Sequence, residues 1–293
     1  MIEYNAGRPA AQSPHGMVTS PHALASHAGA DVLKRGGSAV DAAIAASAAL
    51  SVVYPHMTGI GGDAFWLIHD AETGAVRYID GGGRATSLGT LEAFARRGLV
   101  EVPYRGPLVG TLTVPGSVAS WTMAHAAYGR LPLARCLDAA IGYARNGFPM
   151  SPRLAQWCET AGPELAKSPE AAAIFLGGGT VLTNPDLART LQAIASDGWY
   201  GFYTGEVARE LVRWSQANDG FFTAEDLAQQ VARWGEPLKG TYRDVTIYET
   251  PAPTQGFAVL QMMNLLEPFE LHRKPFLGPD TVHLMVQAKQ LAY

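Results

Sequence analysis

Residues 39–54, "AVDAAIAASAALSVVY", carry a single charge, Asp41, and otherwise place alanine or a branched apolar side chain on nearly every helical face. A surface helix keeps one polar face, so a helix that is apolar all round must be covered on all sides. The segment therefore predicts an inner helix of a layered fold. Its start is written locally. Gly36-Gly37 stop an amphipathic helix expected over 21–35, Ser38 stands at the N-cap, and Asp41 three residues later completes a variant of the capping box.

The rest of the chain covers that helix. Residues 65–69 and 76–79 alternate as strands, and "DAETGA" between them places Gly74 where a turn tolerates positive φ, which predicts a hairpin. From 117 to 233 the pattern is mostly helical, with helices expected over 117–128, 133–146, 184–196 and 205–217. A further helix is expected over "FTAEDLAQQVARW", capped by Thr223 with Glu225 and Asp226 in its first turn. Residues 240–249 read as one strand, "PAPTQG" breaks it, and "FAVLQMMNLLEPF" returns to helix. The pattern alone yields a helix-rich α/β or α+β layered domain over residues 1–293.

Composition narrows the function. With 47% hydrophobic and 16% charged residues, the chain has the apolar content of a globular domain and too little charge for disorder. The net charge of -4, with its 22 basic residues dispersed, favours neither nucleic acid nor an anionic membrane as partner. Residues 1–18 lack the basic and apolar regions of a secretion leader, and the longest apolar run, 42–54, is shorter than the roughly 20 residues a bilayer requires. A cytoplasmic protein is expected. Cys136 and Cys158 lie in helical contexts without CxxC spacing and read as small buried apolar residues.

Two glycine-rich runs are the candidates for chemistry. "GIGGDAF" at 59–65 follows a helix and precedes a strand, the reverse of a phosphate-binding loop, and fits a tight turn with close packing of the strand under the buried helix. "IDGGGRA" at 79–85 ends a strand with Gly81, Gly82 and Gly83 and sets Arg84 just beyond. Glycines in a row cost backbone entropy, about 0.5–1 kcal/mol each relative to alanine, and imply positive φ or something lying close to the backbone. The planar fork of Arg84 is suited to gripping a carboxylate; a solvated arginine at a hairpin end is the plainer reading. The histidines form no HxxxH or HExxH, no GxSxG elbow occurs, and Met1 and Ile2 cannot serve as an amino-terminal nucleophile.

These blocks, in this order, resemble the gamma-glutamyltransferase (gamma-glutamyltranspeptidase) family of N-terminal nucleophile hydrolases. The similarity runs from "GGSAVDAAIAAS" and "GIGGDAF" through "VPGSVASW", "YGRLPL", "GFYTGEVARELV" and "GFFTAEDLA" to "GTYRDVTIYETPAPTQG" and "VHLMVQAKQLAY". It implies an α+β fold, the large-subunit portion of a four-layer αββα sandwich, from a proenzyme that cuts itself in two. The catalytic threonine would open the small subunit. The Gly-Thr pairs at Thr90, Thr111, Thr180 and Thr241 do not open a TTH-like strand, so the nucleophile is expected outside these residues.

Family members acting on gamma-glutamyl compounds hold the substrate carboxylate with an arginine in a D-x-R-E-x-A-P run. Aligned on Asp80, that arginine falls on Gly82, and Arg84 lies two places on, about 6–7 Å along an extended segment but facing the same way. The "GGGRA" run is more similar to the family's amidohydrolases and acylases, the oxamate amidohydrolases among them. The resemblance thus implies a small carboxylate-bearing amide as substrate, with Arg84, Gly82 and Gly83 at the binding site. It implies no metal or organic cofactor, and a small subunit of the same proenzyme as partner, in a heterodimer or a dimer of heterodimers. A gamma-glutamyl hydrolase or transferase and a non-catalytic scaffold of the same fold remain open alternatives.

Overall fold

A computed structural model of the chain describes residues 11–293. The readings made on Met1, Ile2 and the first ten residues lie outside that range. The described residues form two compact units, one of residues 11–61 with Ala85–Thr113 and Trp121–Gln229, and one of Gly62–Arg84 with Val114–Ser120 and Gln230–Tyr293.

The first unit is a stack of helices. Ala23–Lys34 packs on Ala39–Val53, which packs on Leu133–Asn146, which in turn packs on Pro185–Asp197. The Ala39–Val53 helix is the covered one: Ile44, Ala48, Ala49 and Val53 have no exposure at all. Its alanines let neighbouring helices approach closely. Leu133–Asn146 buries Cys136, Leu137, Ala140, Ile141 and Ala144, a stripe at helical spacing. Both halves of the capping box are formed: Asp41 N donates to Ser38 Oγ at 3.1 Å and Ser38 N to Asp41 Oδ2 at 2.8 Å. Asn184 caps Pro185–Asp197 through Leu187 N at 3.0 Å. Cys136 and Cys158 are buried free thiols.

The second unit is built on a three-stranded antiparallel sheet, Ala64–His69 (β1), Val76–Gly81 (β2) and Arg233–Gly235, with β2 in the middle. Ala64 pairs with Gly81 and Phe65 with Asp80, so the glycine run begins at the paired end of the hairpin. Gly74 takes φ +70° in the turn. Gly256–Leu266 and Pro279–Ala292 pack on each other in the same unit.

Three expectations need correction. The helix begun by Thr223 covers only Ala224–Ala228; Arg233–Gly235 is a strand, paired Asp80 to Arg233 and Ile79 to Trp234. Local helix preference loses there to the hydrogen bonds of an open strand edge, reinforced by the Arg77 guanidinium 4.0 Å over the Trp234 ring. Residues 240–249 form a hairpin, Leu238–Tyr242 against Val245–Glu249, with Arg243 at φ 57° and its N–H held by the Glu267 carboxylate. Gly59 and Gly61 are not close-packed: a Cβ at either would meet nothing within 4 Å.

Candidate functional site

β2 delivers the chain into Gly81-Gly82-Gly83-Arg84, and each glycine has its own reason. None takes positive φ. A Cβ on Gly81 would lie 2.3 Å from Ala64 O and 2.5 Å from Ser120 Cβ. One on Gly83 would lie 1.9 Å from Val114 O. Gly116, at the start of the Ser117–Tyr128 helix, is pressed equally hard, its Cβ position 2.1 Å from Gly81 O. Two backbone segments thus run against each other with no side chain between them. The close approach that the glycines implied is made by the protein's own main chain. Gly82 differs, since its Cβ position lies nearest to side chains, the Asp80 carboxylate at 2.9 Å and the Phe65 ring at 3.6 Å.

The run is locked by hydrogen bonds to its polar groups. Gly82 N donates to Asp80 Oδ1 and Gly83 N to Asp63 Oδ1, both at 2.8 Å. Val114 N donates to Arg84 O at 2.9 Å. Gln230, wholly buried, donates from Nε2 to Gly82 O at 3.2 Å and accepts from Arg84 N at 3.1 Å. One amide side chain therefore replaces a strand partner for residues 82 and 84. Gly62 O accepts from Gly116 N at 3.0 Å and Ser117 N at 2.9 Å, and Trp66 Nε1 donates to Ser120 Oγ at 2.9 Å. Below the run, Tyr78 is buried, and burial followed by the charge of Asp80 pushes its phenol up to about 12, so it stays neutral.

Arg84 is exposed, and its guanidinium forms no ion pair with any described residue. The planar fork of a guanidinium is the group that can meet both oxygens of a carboxylate with two parallel N–H donors. The structure thus brings Gly82, Gly83 and Arg84 onto one rigid run. It adds Gln230, which sequence reading missed: a buried glutamine so distant in the chain leaves no local signal.

Asp41, His125 and Cys136 place ligand-type atoms within 4.8 Å of one another in the first unit. Their chemistry is structural. The Asp41 carboxylate accepts from Ser38 N, from Arg130 N at 2.9 Å and from Leu131 N at 3.2 Å. Burial alone would raise its pKa, but those amides outweigh it and hold the carboxyl below its usual range. His125 Nε2 lies 2.7 Å from Leu131 O, and burial, then the Asp41 charge, push the Cys136 thiol up to about 12. A protonated thiol and an imidazole turned to a carbonyl are poor ligands for a cation. Two threonines of the Gly-Thr pairs have side-chain partners. Thr90 caps the Leu91–Arg96 helix, and buried Thr111 donates to Pro107 O and accepts from Phe221 N, both at 2.8 Å.

The chain matches the Gamma-glutamyltranspeptidase family over residues 25–293. It is 38% identical to the Glutathione hydrolase-like YwrD proenzyme of Bacillus subtilis (strain 168), across 94% of this chain and 53% of that protein. It is 38% identical to the Oxamate amidohydrolase proenzyme of Klebsiella pneumoniae, across 96% of this chain and 54% of that protein. Its fold overlays the crystal structure of Helicobacter pylori gamma-glutamyltranspeptidase with a TM-score of 0.90 at 33% identity, covering 97% of this chain and 84% of that one. The helix-rich α+β architecture is that of the N-terminal nucleophile hydrolases. This chain belongs to the gamma-glutamyltranspeptidase family. It spans about half the length of the curated relatives it matches.

Proposed function

We propose that residues 1–293 are the large-subunit part of an autoprocessed N-terminal-threonine amidohydrolase that acts on a small, carboxylate-bearing amide of the oxamate type. The observation that carries the reading is Arg84, an unpaired guanidinium on a backbone fixed by Gln230, Asp63 and Asp80. The nucleophile comes from the small subunit of the same proenzyme. Its threonine hydroxyl gives its proton to its own amine and attacks the amide carbonyl; ammonia or an amine leaves, and water releases the acid from the acyl-enzyme. Arg84 holds the carboxylate so that the carbonyl meets the hydroxyl in line, a positioning effect that lowers the barrier by several kcal/mol when geometry is right. Gly82 and Gly83 form the floor beside the carboxylate, and the processed pair works in the cytoplasm as a heterodimer or a dimer of heterodimers. Among the described residues no helix is long and apolar enough to cross a membrane.

Gly82 supports oxamate over a gamma-glutamyl compound. The arginine that grips a gamma-glutamyl carboxylate by family resemblance falls on this glycine, and Arg84 two places on suits a shorter acid. The test is a comparison of kcat/KM for oxamate and glutathione with the full-length gene product. The reading expects oxamate to be preferred at least about tenfold, one hydrogen bond's worth of discrimination. Preference for glutathione would replace it with a gamma-glutamyl hydrolase. Turnover of neither would return the fold to a scaffold role.

A further inference from the structure

The Ala23–Lys34 helix of the first unit is capped by an imidazole, where a serine, threonine, aspartate or asparagine is usual. His22 Nδ1 accepts from Leu24 N at 3.2 Å. A backbone N–H can only donate, so Nδ1 holds a lone pair and the neutral ring carries its proton on Nε2. A protonated His22 would turn a second N–H toward that amide. It would also set a positive charge at the helix end where positive charge is least welcome. Acid removes this cap.

A second imidazole shares the same aromatic neighbour. The Tyr54 ring, just after the Ala39–Val53 helix, lies 6.5 Å from His22 and 4.3 Å from His56 between ring centres. Trp157 of the Pro152–Leu165 helix lies 6.1 Å from His56. Both ring nitrogens of His56 are shielded from solvent, and neither has a hydrogen-bond partner among the described residues. The neutral ring leaves one N–H unmet; the protonated ring would leave two, and a charge with them. The surrounding groups offer that charge no relief. Arg153, on the Pro152–Leu165 helix, and His22 act on His56 as like charges. Cys158 of that helix stays protonated through burial, and Tyr143, whose hydroxyl reaches Leu24 O at 3.5 Å, through burial and then the charge of Asp31. Among the described residues the histidine that meets a carboxylate is His125, not His22 or His56.

We propose that His22 and His56, sharing Tyr54, form an acid-sensitive latch between the start of the Ala23–Lys34 helix and the loop after the Ala39–Val53 helix. It is closed while both rings are neutral and releases the first helical turn and residues 54–58 when both are protonated. Burial lowers the pKa of His22, and burial, then Arg153 and His22, lower that of His56. The unfolded chain takes up both protons as pH falls through the ordinary value of 6.5, while the folded chain resists them. The latch is therefore whole above that pH and weakens below it. It lies within the first unit and does not depend on the amidohydrolase reading.

The test is amide hydrogen exchange of the full-length protein, read by mass spectrometry at about pH 7.5 and about pH 5 and corrected for the intrinsic exchange rate. Peptides covering the first turn of Ala23–Lys34 and residues 54–58 are expected to lose protection at least about tenfold at the lower pH. A peptide from Leu133–Asn146 is expected to keep its own. The double variant His22→Asn with His56→Phe keeps a cap that acid does not remove and an aromatic ring beside Tyr54. It is expected to hold protection equally at both pH values. Should that variant not fold, the imidazole proton resonances of the wild type serve instead, with both histidines expected to half-titrate below 6.5. Equal wild-type protection at the two pH values would overturn the proposal. So would a loss that persists in the double variant, a loss shared equally by Leu133–Asn146, or half-titration of either histidine at or above 6.5.

Discussion

Gln230 and Arg84 divide one task. In the proposed function the guanidinium meets the substrate, while the glutamine amide fixes the main chain from which it projects. Gln230→Ala leaves Gly82 O and Arg84 N without their partner and is expected to lower kcat/KM for oxamate about tenfold, mostly through KM. Steady-state kinetics on the processed enzyme checks this, and restoration of KM in a Gln230→Asn variant would separate positioning from general damage. Asp41 illustrates the other kind of buried polar residue. Its carboxyl is held below the ordinary value of 3.8, so its contribution is complete above that pH and is lost as pH falls through the folded-state value. Asp41→Asn is expected to cost roughly 1.5–3 kcal/mol at pH 7 in urea unfolding, and to flatten the acid limb of the stability profile. Arg84 stands out in the sequence as a candidate because it follows three glycines. Asp41 was legible because it lies three residues after Ser38. Gln230 was not, since its role exists only once the chain brings it to residues 82 and 84.

The hairpin and the glycine run behave as one element. Gly83→Ala must push a methyl into Val114 O, so it is expected to destabilise by about 3 kcal/mol or more, or to prevent folding. Gly82→Ala must displace the Asp80 carboxylate that accepts from Gly82 N, but no main-chain atom stands among its nearest neighbours, so it is expected to lower the melting temperature less than Gly83→Ala. Thermal unfolding of the two variants checks the contrast; equal damage would mean that Gly82 too is there for packing. The sequence announced a close approach at these glycines without saying what approached. Elements governed by local chemistry were readable, including the Ala39–Val53 helix with its capping box and the β1–β2 hairpin with Gly74 in its turn. The Arg233–Gly235 strand was not, because its extended state is imposed by pairing with β2. The turn inside 240–249 was hidden for a related reason: Arg243 adopts positive φ without glycine, steadied by Glu267 from another part of the chain.

For the molecule as a whole, ordered blocks of sequence carried more than any single motif. The apolar helix, the glycine turn and the strand after it occur in the arrangement of the gamma-glutamyltranspeptidase family, and the fold bears this out. The proposed specificity rests on fewer residues, the DGGGRA run above all. The measurement that tests the account most directly compares wild type with Arg84→Ala in the processed full-length enzyme, using oxamate and an uncharged amide of similar size. If Arg84 grips the substrate carboxylate, the substitution lowers kcat/KM for oxamate about 10–100-fold, the worth of a charge-assisted pair, and leaves the uncharged amide untouched. Equal kcat/KM for oxamate in the two proteins would contradict the account.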